Sequence, residues 1–560
     1  MSATPNPTAL LSIEGLTVAL PAWADRRTAV EDLSLQLHRD EVLCVVGESG
    51  SGKSVMAKSV MGLLAAPHVR VAAGRIVFEG EDLVTVAPER LRSIRGNGIG
   101  MVFQEPMTAL NPLMTIGQQI EETLATHVKL GKAESFEKMS ALMHEVGLPD
   151  ARRILGSYPH QLSGGQRQRA MIVMALILEP RILIADEPTT ALDVTTQAQI
   201  LVLIKALQRK RRTGVLFITH DFGVVAEIAD RVAVMQHGKL VEIGTAEQVL
   251  RNPRHPYTQA LIAAVPSMQR AVPRPENTQP VVLKVRGVGK SYGKSGSWFG
   301  FGKSKPVKPA LDSVDLQLRR GEIMGLVGES GSGKSTLARC ITRLTEADHG
   351  SIELDGLELA HLSRKQMRPH RSRIQMIFQD PYASLNPRLE VAELIAQGPI
   401  ANGVPREQAL REVAELLEVV QLDKSAARRF PHEFSGGQRQ RIGIARALAM
   451  KPTVIVADEP VSALDVSVQK KILELLSDIR ESRGVSMLFV THDLRVAAQL
   501  CDSLAVMHQG RIVEQGRTAA VFADPQHEYT RKLLSAVPGR HWSVCSGQPD
   551  TAELPLEAAA

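Results

Sequence analysis

The sequence predicts an α/β protein made of two tandem copies of one domain. Three observations support this prediction: one set of motifs occurs twice in the same order, its spacing repeats, and each glycine-rich loop follows an unbroken apolar segment. For instance, 24 residues separate Ser163 from Glu187, and 24 separate Ser435 from Glu459. Self-similarity over half of a chain marks a duplicated domain.

The composition is ordinary for a globular protein, since 44% of the 560 residues are hydrophobic and 22% are charged. The longest apolar run, 170–178, is too short to span a bilayer, and the first residues lack an export signal, so we expect a cytoplasmic chain. The net charge is +6, but the lysines and arginines are dispersed. Phosphate handling explains this excess, and no nucleic-acid partner is expected.

The cysteines lie far apart and form no C-x-x-C pair. They are Cys44, Cys340, Cys501 and Cys545. This spacing excludes a zinc or iron–sulfur site and is typical of a reducing compartment. Cys44 lies in an apolar run and is predicted to be a buried strand residue.

Short segments of alternating polarity open the two halves, at 11–18 and 282–288, and predict half-buried antiparallel strands. Continuous apolar runs follow in each half. They are 42–46, 182–185 and 215–218, and then 323–327, 454–457 and 487–490. Strands that are apolar on both faces belong inside a parallel sheet covered by helices.

Helical periodicity at 134–146 and 406–420 predicts a helical subdomain within each half. A stretch that contains Pro, Gln and Arg but no periodicity predicts a linker between the halves. The predicted boundaries are 1–266 for the first domain (helical subdomain about 107–165), 267–280 for the linker, 281–538 for the second domain (helical subdomain about 382–437) and 539–560 for a tail.

A G-x-x-x-x-G-K-[S/T] segment follows an apolar strand in each half. Its glycines let backbone N–H groups close around phosphates, and the start of the next helix adds a favourable dipole. Lys53 and Lys334 are expected to reach the β- and γ-phosphates of ATP. The residues predicted to hold the nucleotide here are Gly47, Ser49, Gly50, Gly52, Lys53, Ser54, Gly328, Ser330, Gly331, Gly333, Lys334, Ser335 and Thr336.

An Asp-Glu pair ends one apolar strand in each half. The aspartate is expected near Mg²⁺, and the glutamate, Glu187 or Glu459, is placed to polarise an attacking water as general base. The predicted Mg²⁺ residues are Ser54, Gln104, Asp186, Ser335, Gln379 and Asp458.

Two further polar residues per half complete the predicted catalytic set. Gln104 and Gln379 end strands on the phosphate side and are expected to sense Mg²⁺ and the γ-phosphate. His220 and His492 follow strands as Thr-His-Asp, 33 residues after each glutamate. A lone histidine there is more often a packing residue, but the exact repetition favours a γ-phosphate contact.

These motifs resemble the ATPase component of an ATP-binding cassette (ABC) transporter, with both cassettes fused. The Ser-Gly-Gly-Gln segments at 163–166 and 435–438 match the family signature, and the likeness covers about residues 10–538. It implies two ABC-type P-loop NTPase domains, each with a RecA-like core, an antiparallel β subdomain and a helical subdomain.

The resemblance also implies that the two cassettes pair head to tail, with each ATP between one half's P-loop and the other half's signature. A signature that starts a helix suits this role, because helix N-termini attract anions. The signature residues expected to contact ATP are Ser163, Gly165, Gln166, Ser435, Gly437 and Gln438. Both sets are complete, so two hydrolytic sites are expected.

The loops at 103–112 and 378–387, and the segments 255–258 and 527–530, resemble those of importers for dipeptides, oligopeptides, nickel and glutathione. The fused form is similar to the ATPases of glutathione and microcin C-type importers. This implies two integral membrane permease subunits contacted through the glutamine loops, an extracytoplasmic solute-binding protein, and a peripheral location on the cytoplasmic face of the inner membrane. Peptide, glutathione, nickel or an opine-like compound all stay open as the solute.

The sequence departs from the family pattern in two places, at the adenine-stacking aromatic and in the C-terminal extension, and it also carries an insert in the second half. Tyr292 matches the aromatic residue that stacks on adenine, but Leu20 stands there in the first half, where either Trp23 substitutes or adenine binds less tightly. The insert 293–309 is either a surface loop or a membrane contact. The cysteine-rich extension of some peptide-importer ATPases is missing, so no iron–sulfur cluster is expected.

Two other functions are compatible with tandem cassettes. A soluble tandem ATPase acting on ribosomes or nucleic acid usually has a long charged linker or zinc-binding cysteines, whereas the linker here is about 14 residues. A catalytically dead scaffold disagrees with the intact Glu187 and Glu459.

Overall fold

The structure is a computed structural model. It describes residues 9–189, 192–268, 277–292, 309–462, 464–540 and 542. The linker residues 269–276, the insert residues 293–308 with its tryptophan, and most of the tail lie outside the described residues. No helix among the residues described is long and apolar enough to cross a membrane.

The strands fall into two repeated sets. They are β1 Leu11–Ala19, β2 Thr28–Leu37, β3 Val42–Val46, β4 Arg70–Phe78, β5 Glu81–Asp82, β6 Ile99–Val102, β7 Ile182–Asp186, β8 Gly214–Ile218, β9 Arg231–Gln236, β10 Lys239–Thr245, β11 Val281–Lys290, β12 Leu311–Arg319, β13 Ile323–Val327, β14 His349–Leu354, β15 Leu357–Glu358, β16 Ile374–Ile377, β17 Val454–Asp458, β18 Ser486–Thr491, β19 Ser503–His508 and β20 Arg511–Arg517.

The α-helices repeat in the same way. They are α1 Lys53–Val60, α2 Pro88–Ile94, α3 Pro106–Ala109, α4 Ile116–His127, α5 Lys132–Glu145, α6 Ala151–Leu155, α7 Gly164–Leu176, α8 Val194–Arg211, α9 Phe222–Ile228, α10 Ala246–Arg251, α11 Pro256–Ala264, α12 Lys334–Ile341, α13 Arg364–Met367, α14 Pro381–Ser384, α15 Val391–Ala401, α16 Arg406–Val419, α17 Gly436–Leu448, α18 Val466–Arg483, α19 Leu494–Leu500, α20 Thr518–Ala523 and α21 Glu528–Ser535.

A six-stranded sheet forms the centre of each half. Its order is β10-β9-β3-β8-β7-β6 in the first half, and β16-β17-β18-β13-β19-β20, which is the same order reversed, in the second. All pairs are parallel except the edge pairs β9–β10 and β19–β20. The strands β3, β7, β8, β13, β17 and β18 are buried along their whole length, because helices cover one face of the sheet while the antiparallel sheet and one helix cover the other.

A four-stranded antiparallel sheet packs on each central sheet, with order β2-β1-β4-β5 and then β12-β11-β14-β15. Its strands alternate between buried and partly exposed residues, as predicted for 11–18 and 282–288. The predicted α/β fold, with a parallel core and an antiparallel β subdomain in each half, is therefore confirmed. Cys44 is fully buried in β3, also as predicted.

Short helices separate the glutamine loop from the signature in each half. In the first half, α4 begins with a capping box in which the Thr115 hydroxyl and the Gln118 side chain each satisfy a backbone N–H. Ile116, Ile120 and Leu124 then face the core at helical spacing. The predicted helical periods at 134–146 and 406–420 correspond to α5 and α16.

Candidate functional site

The glycine-rich loop of the first half joins β3 to α1 and folds over a buried lysine. The Lys53 ammonium donates to the carbonyl oxygens of Gly47 at 2.7 Å and Glu48 at 2.9 Å. Burial lowers the pKa of Lys53, although the nearby carboxylates, Glu187 first among them, act in the opposite direction. The lysine charge is thus held at the centre of the loop.

Glycine is required where this loop leaves the strand. Gly47 has φ of 150°, and a Cβ added there would lie 2.2 Å from the Met235 carbonyl oxygen of β9. Gly52, which precedes α1, has φ of 103°, and its Cβ would lie 2.5 Å from the Ala29 carbonyl oxygen. Backbone of neighbouring elements therefore packs directly against the loop.

The second loop repeats this geometry. The Lys334 ammonium donates to the carbonyl oxygens of Gly328 and Glu329, at 2.8 Å each, and burial lowers its pKa. Gly328 has φ of 152°, and its Cβ would lie 2.2 Å from the Met507 carbonyl oxygen of β19. Ser49, Gly50, Ser330, Gly331, Gly333 and Thr336 belong to the same two loop-and-helix segments.

A serine and an aspartate meet beside each lysine. The Ser54 hydroxyl donates to Asp186 Oδ1 at 2.9 Å, and the Ser335 hydroxyl donates to Asp458 Oδ1 at 3.0 Å. Burial raises the pKa of both aspartates, because it disfavours the charged form. Hydroxyl and carboxylate oxygens are the ligands that Mg²⁺ prefers, so these pairs fit the predicted metal role.

The glutamate after each aspartate adopts an unusual backbone conformation. Glu187 has φ of 47° and Glu459 has φ of 46°, in the left-handed region that non-glycine residues rarely occupy. Such backbone strain is concentrated at functional sites, where the surrounding structure enforces it.

Each glutamate contacts the predicted glutamine and histidine of its own half. The Gln104 amide nitrogen donates to Glu187 Oε2 at 2.9 Å, and His220 Nδ1 lies 3.2 Å from Glu187 Oε1. In the second half, the Gln379 amide donates to Glu459 at 2.9 Å, and His492 Nδ1 lies 3.3 Å from Glu459 Oε1. The structure therefore brings all six predicted catalytic residues into two matching clusters.

Each glutamate shifts the pKa of the histidine beside it, and His492 also shifts the pKa of Glu459. Burial alone would lower the pKa of His220 and His492, but the hydrogen bond and charge of the adjacent glutamate outweigh burial and raise both pKa values. Burial raises the pKa of Glu459, yet the bond and charge of His492 dominate and lower it. Each site thus stabilises a charged imidazolium.

The signature segments start α7 and α17. Ser163 and Ser435 cap these helices, and each forms a capping box with the glutamine three residues later, Gln166 or Gln438. The central glycines pack against the next long helix: a Cβ on Gly165 would lie 2.7 Å from Thr196 Cγ2 of α8, and one on Gly437 would lie 2.3 Å from Val468 Cγ1 of α18.

The glycine loops contact the other half of the chain. The Ser49 N–H donates to Asp465 Oδ1 at 2.6 Å, and the Glu48 carboxylate accepts a short hydrogen bond from Ser467. Reciprocally, the Glu329 carboxylate accepts a bond of 2.5 Å from Thr195. Asp465 directly precedes α18, the helix against which Gly437 packs, so each phosphate loop lies on the signature side of the opposite half, in agreement with head-to-tail pairing.

An aromatic residue stands at the predicted adenine position in the second half only. The Tyr292 side chain is exposed at the end of β11, with Lys290 Nζ 5.9 Å from its ring centre. Leu20 packs partly buried against the core of the antiparallel sheet, and Trp23 is 82% exposed. The adenine role of Tyr292 stays a prediction.

Sequence analysis missed two residue pairs at these sites. Asp193 and Asp465 precede α8 and α18 on the interface between the halves. Tyr257 and Tyr529 place their hydroxyls on the glycine loops. Their repetition could have identified these residues from the sequence, because each pair occupies matching positions in the two copies.

Comparison with known proteins identifies both repeats. The family model described as ABC transporter matches residues 30–190 and 311–462. A second model, described as the C-terminal region of oligopeptide/dipeptide transporters, matches residues 241–294 and 513–552.

Two curated relatives span nearly the whole chain. The peptidoglycan transport ATP-binding protein YejF of Agrobacterium fabrum is 45% identical, over 95% of this chain and 97% of its own. The glutathione import ATP-binding protein GsiA of Salmonella choleraesuis is 46% identical, over 94% of this chain and 89% of its own. Among solved structures, a dimeric bacterial ABC transporter cassette aligns at 30% identity and a TM-score of 0.38, over 42% of this chain and 98% of that one.

Proposed function

Because the chain belongs to the ABC transporter family, with two ATPase cassettes in one polypeptide, we propose that it energises import of a small solute across the cell membrane. The solute class that its relatives favour is a di- or oligopeptide or a related compound, since they are named for peptidoglycan transport and glutathione import. The match to the C-terminal region of oligopeptide/dipeptide transporters supports the same class. Both relatives are transport proteins by name, and neither favours the alternative of a ribosome- or nucleic-acid-bound ATPase.

The observation that carries this proposal is the duplicated, complete catalytic set facing the opposite half. Lys53 and Lys334 neutralise phosphate charge, and the backbone N–H groups of the loops cradle the phosphates. Ser54 with Asp186, and Ser335 with Asp458, would hold Mg²⁺, which supplies charge neutralisation between the phosphates when bound. Gln104 and Gln379, whose amides donate to the neighbouring glutamates Glu187 and Glu459, would complete the set.

Glu187 and Glu459 act as general bases that accept the proton of the attacking water. His220 and His492 lie against these carboxylates and donate toward the γ-phosphate once ATP occupies the site. The signature serines and glycines of the opposite half, at the starts of α7 and α17, close each site over the phosphates. Closure of the two halves on ATP therefore assembles two hydrolytic sites.

The partners are two integral membrane permease subunits, contacted through the glutamine loops after β6 and β16, and indirectly an extracytoplasmic solute-binding protein. Exposed apolar side chains in these loops, among them Met107 and Tyr382 at 51% and 63% exposure, are suitable for such a contact. The chain would then lie peripherally on the cytoplasmic face of the inner membrane.

Purification of the tagged chain from detergent-solubilised membranes tests the proposal. We expect two polytopic membrane proteins to co-purify, and ATP hydrolysis by the complex to rise when their binding protein is added with a peptide mixture. Recovery of ribosomal proteins or nucleic acid without a membrane subunit would overturn it. Replacing the peptides by nickel or an opine-like compound distinguishes the solute classes.

A further inference from the structure

A tyrosine from the end of each half reaches the glycine loop of the same half. Tyr257 Oη accepts a hydrogen bond of 3.1 Å from the Glu48 N–H, and Tyr529 Oη accepts one of 3.0 Å from the Glu329 N–H. These pairs are 209 and 200 residues apart in sequence. The same contact forms twice in two copies of one fold, although the residue before the tyrosine is Pro256 in one copy and Glu528 in the other.

The helix start that carries each tyrosine is fixed by its own set of hydrogen bonds. His255 caps α11, and its Nδ1 accepts from the Tyr257 N–H at 3.2 Å. The Glu242 carboxylate of β10 accepts from the N–H groups of Arg254 at 2.8 Å and His255 at 3.1 Å. The tyrosine is therefore aimed by a capped helix rather than by a free loop.

The second half contains the same arrangement. His527 Nδ1 accepts from the Tyr529 N–H at 3.1 Å, and Glu514 of β20 accepts from Gln526 at 2.8 Å and His527 at 3.1 Å. The Tyr529 ring also stacks on His508, with ring centres 4.0 Å apart. Burial raises the pKa of Tyr257 and of Tyr529 to about 12, so both hydroxyls stay neutral at physiological pH.

The glutamate whose N–H bonds to each tyrosine, Glu48 or Glu329, also contacts the other half through its carboxylate. The Glu48 backbone is bonded to Tyr257, while its carboxylate accepts from Ser467 of the second half. The Glu329 backbone is bonded to Tyr529, while its carboxylate accepts from Thr195 of the first half. On the other side, the preceding glycine is pressed against a strand carbonyl, as described above for Gly47 and Gly328.

We propose that Tyr257 and Tyr529 are positioning residues of the two ATP sites. Each hydroxyl fixes the first turn of a glycine loop, so that the later N–H groups face the phosphates and the glutamate carboxylate engages the opposite half. The N–H of Glu48 or Glu329 is then committed to the tyrosine and not to a phosphate. This role rests on the proposed ATPase function, and it makes the C-terminal region of each half part of the nucleotide site.

The test replaces both tyrosines by phenylalanine, which removes two oxygen atoms and keeps the rings. Glu187→Gln with Glu459→Gln provides a background in which binding is measured without turnover. In that background we expect Tyr257→Phe with Tyr529→Phe to weaken ATP binding about five- to tenfold, the effect of losing one hydrogen bond per site. With the glutamates intact, the KM for ATP should rise while kcat falls less than about twofold.

Tyr158→Phe is the matched control, since Tyr158 is 38% exposed and stacks on His160 outside the loops. Unchanged ATP affinity in the double phenylalanine variant would overturn the proposal, as would a lowered Tm with the KM of the parent, which indicates packing alone. If the double variant fails to fold, ATP binding by each single variant, Tyr257→Phe or Tyr529→Phe, tests the proposal by the same criteria. Failure of the import function is detected separately, by the absence of co-purified membrane subunits.

Discussion

The glutamate that follows each buried aspartate concentrates the strain and the contacts of the site. Glu187 and Glu459 share a left-handed backbone, a glutamine donor and a histidine neighbour. No apolar pattern predicts a positive φ at such a residue. The position of the glutamate after an apolar strand could nevertheless be predicted from the sequence. The glutamine and the histidine could also be predicted, because the spacing of the motifs repeats between the halves.

Glu187→Gln combined with Glu459→Gln is expected to reduce ATP turnover by at least about a hundredfold, since a general base contributes two to four orders of magnitude. The amide keeps the shape of the carboxylate but cannot accept the proton. ATP binding should persist, and this is measured as retained nucleotide after rapid gel filtration. Turnover like that of the parent chain in the double variant would refute the assigned bases.

The His492–Glu459 pair predicts a pH-dependent contribution to stability. The raised pKa of His492 means that this contribution is present below the ordinary histidine value of 6.5 and is lost as pH rises through the raised value. The lowered pKa of Glu459 means that it is also lost as pH falls well below 4.5. The Tm difference between the parent and His492→Asn should thus be larger at pH 6 than at pH 9.

The exposed His361 supplies the control for this pH series, because His361→Asn removes an imidazole outside both sites. A Tm difference for His492→Asn that is equal at the two pH values would show that the ion pair does not contribute.

At the scale of elements, the strands were the most predictable part of the molecule. Six continuous apolar runs became fully buried strands, because a parallel sheet covered on both faces leaves no side exposed to water. The contact between α11 and the first glycine loop was not predictable, because it joins residues 209 apart and depends on how helix and sheet pack. Local patterns specify elements, whereas packing specifies such contacts.

The two glutamine loops are held differently. In the second half, the Arg439 guanidinium lies 3.3 Å from the ring centre of Tyr382 and bonds its hydroxyl, and Arg446 Nη1 donates to the Ser384 carbonyl at 2.5 Å. The first half has Met107 and Met174 at the positions of Tyr382 and Arg446. The second loop is thus tied to its signature helix by contacts that these methionines do not form.

Tyr382→Met with Arg446→Met gives the second half the residues of the first at these positions. We expect amide hydrogen exchange in 380–388 to accelerate about tenfold, because local opening becomes easier when two polar contacts are lost. Met107→Tyr in the first half is the control and should change exchange in 380–388 little. Equal exchange in parent and double variant would show that these contacts do not order the loop.

At the scale of the whole molecule, an asymmetric ion pair near the two histidines adds to the contacts that join the halves. Arg495, only 7% exposed, places Nη1 3.3 Å from Asp221 Oδ1, and its counterpart in the first half is Gly223. A Cβ on Gly223 would lie 2.0 Å from Arg495 Nη2 and 2.6 Å from the Pro538 carbonyl oxygen. The Gly539 N–H also donates to Glu227 of the first half at 2.8 Å.

Arg495→Ala and Asp221→Ala are each expected to lower the Tm by about 2–4 °C, since each leaves a partly buried charge unpaired. The double variant should lose less than the sum of the singles, because the same interaction is removed in both. Arg511→Ala is the control, since its pair with Asp312 is exposed and should change the Tm by about 1 °C or less. Strict additivity of Arg495→Ala and Asp221→Ala would contradict a direct coupling.

The contacts between each glycine loop and the helix start of the opposite half form within one polypeptide. This changes how the ATPase activity responds to dilution. Two separate cassettes must find each other by diffusion, so their activity per molecule falls as the protein becomes scarce. Joined cassettes meet at an effective molarity set by the tether, which reaches the millimolar range for short flexible linkers. The specific ATPase rate of this chain should therefore be the same at nanomolar and micromolar concentration.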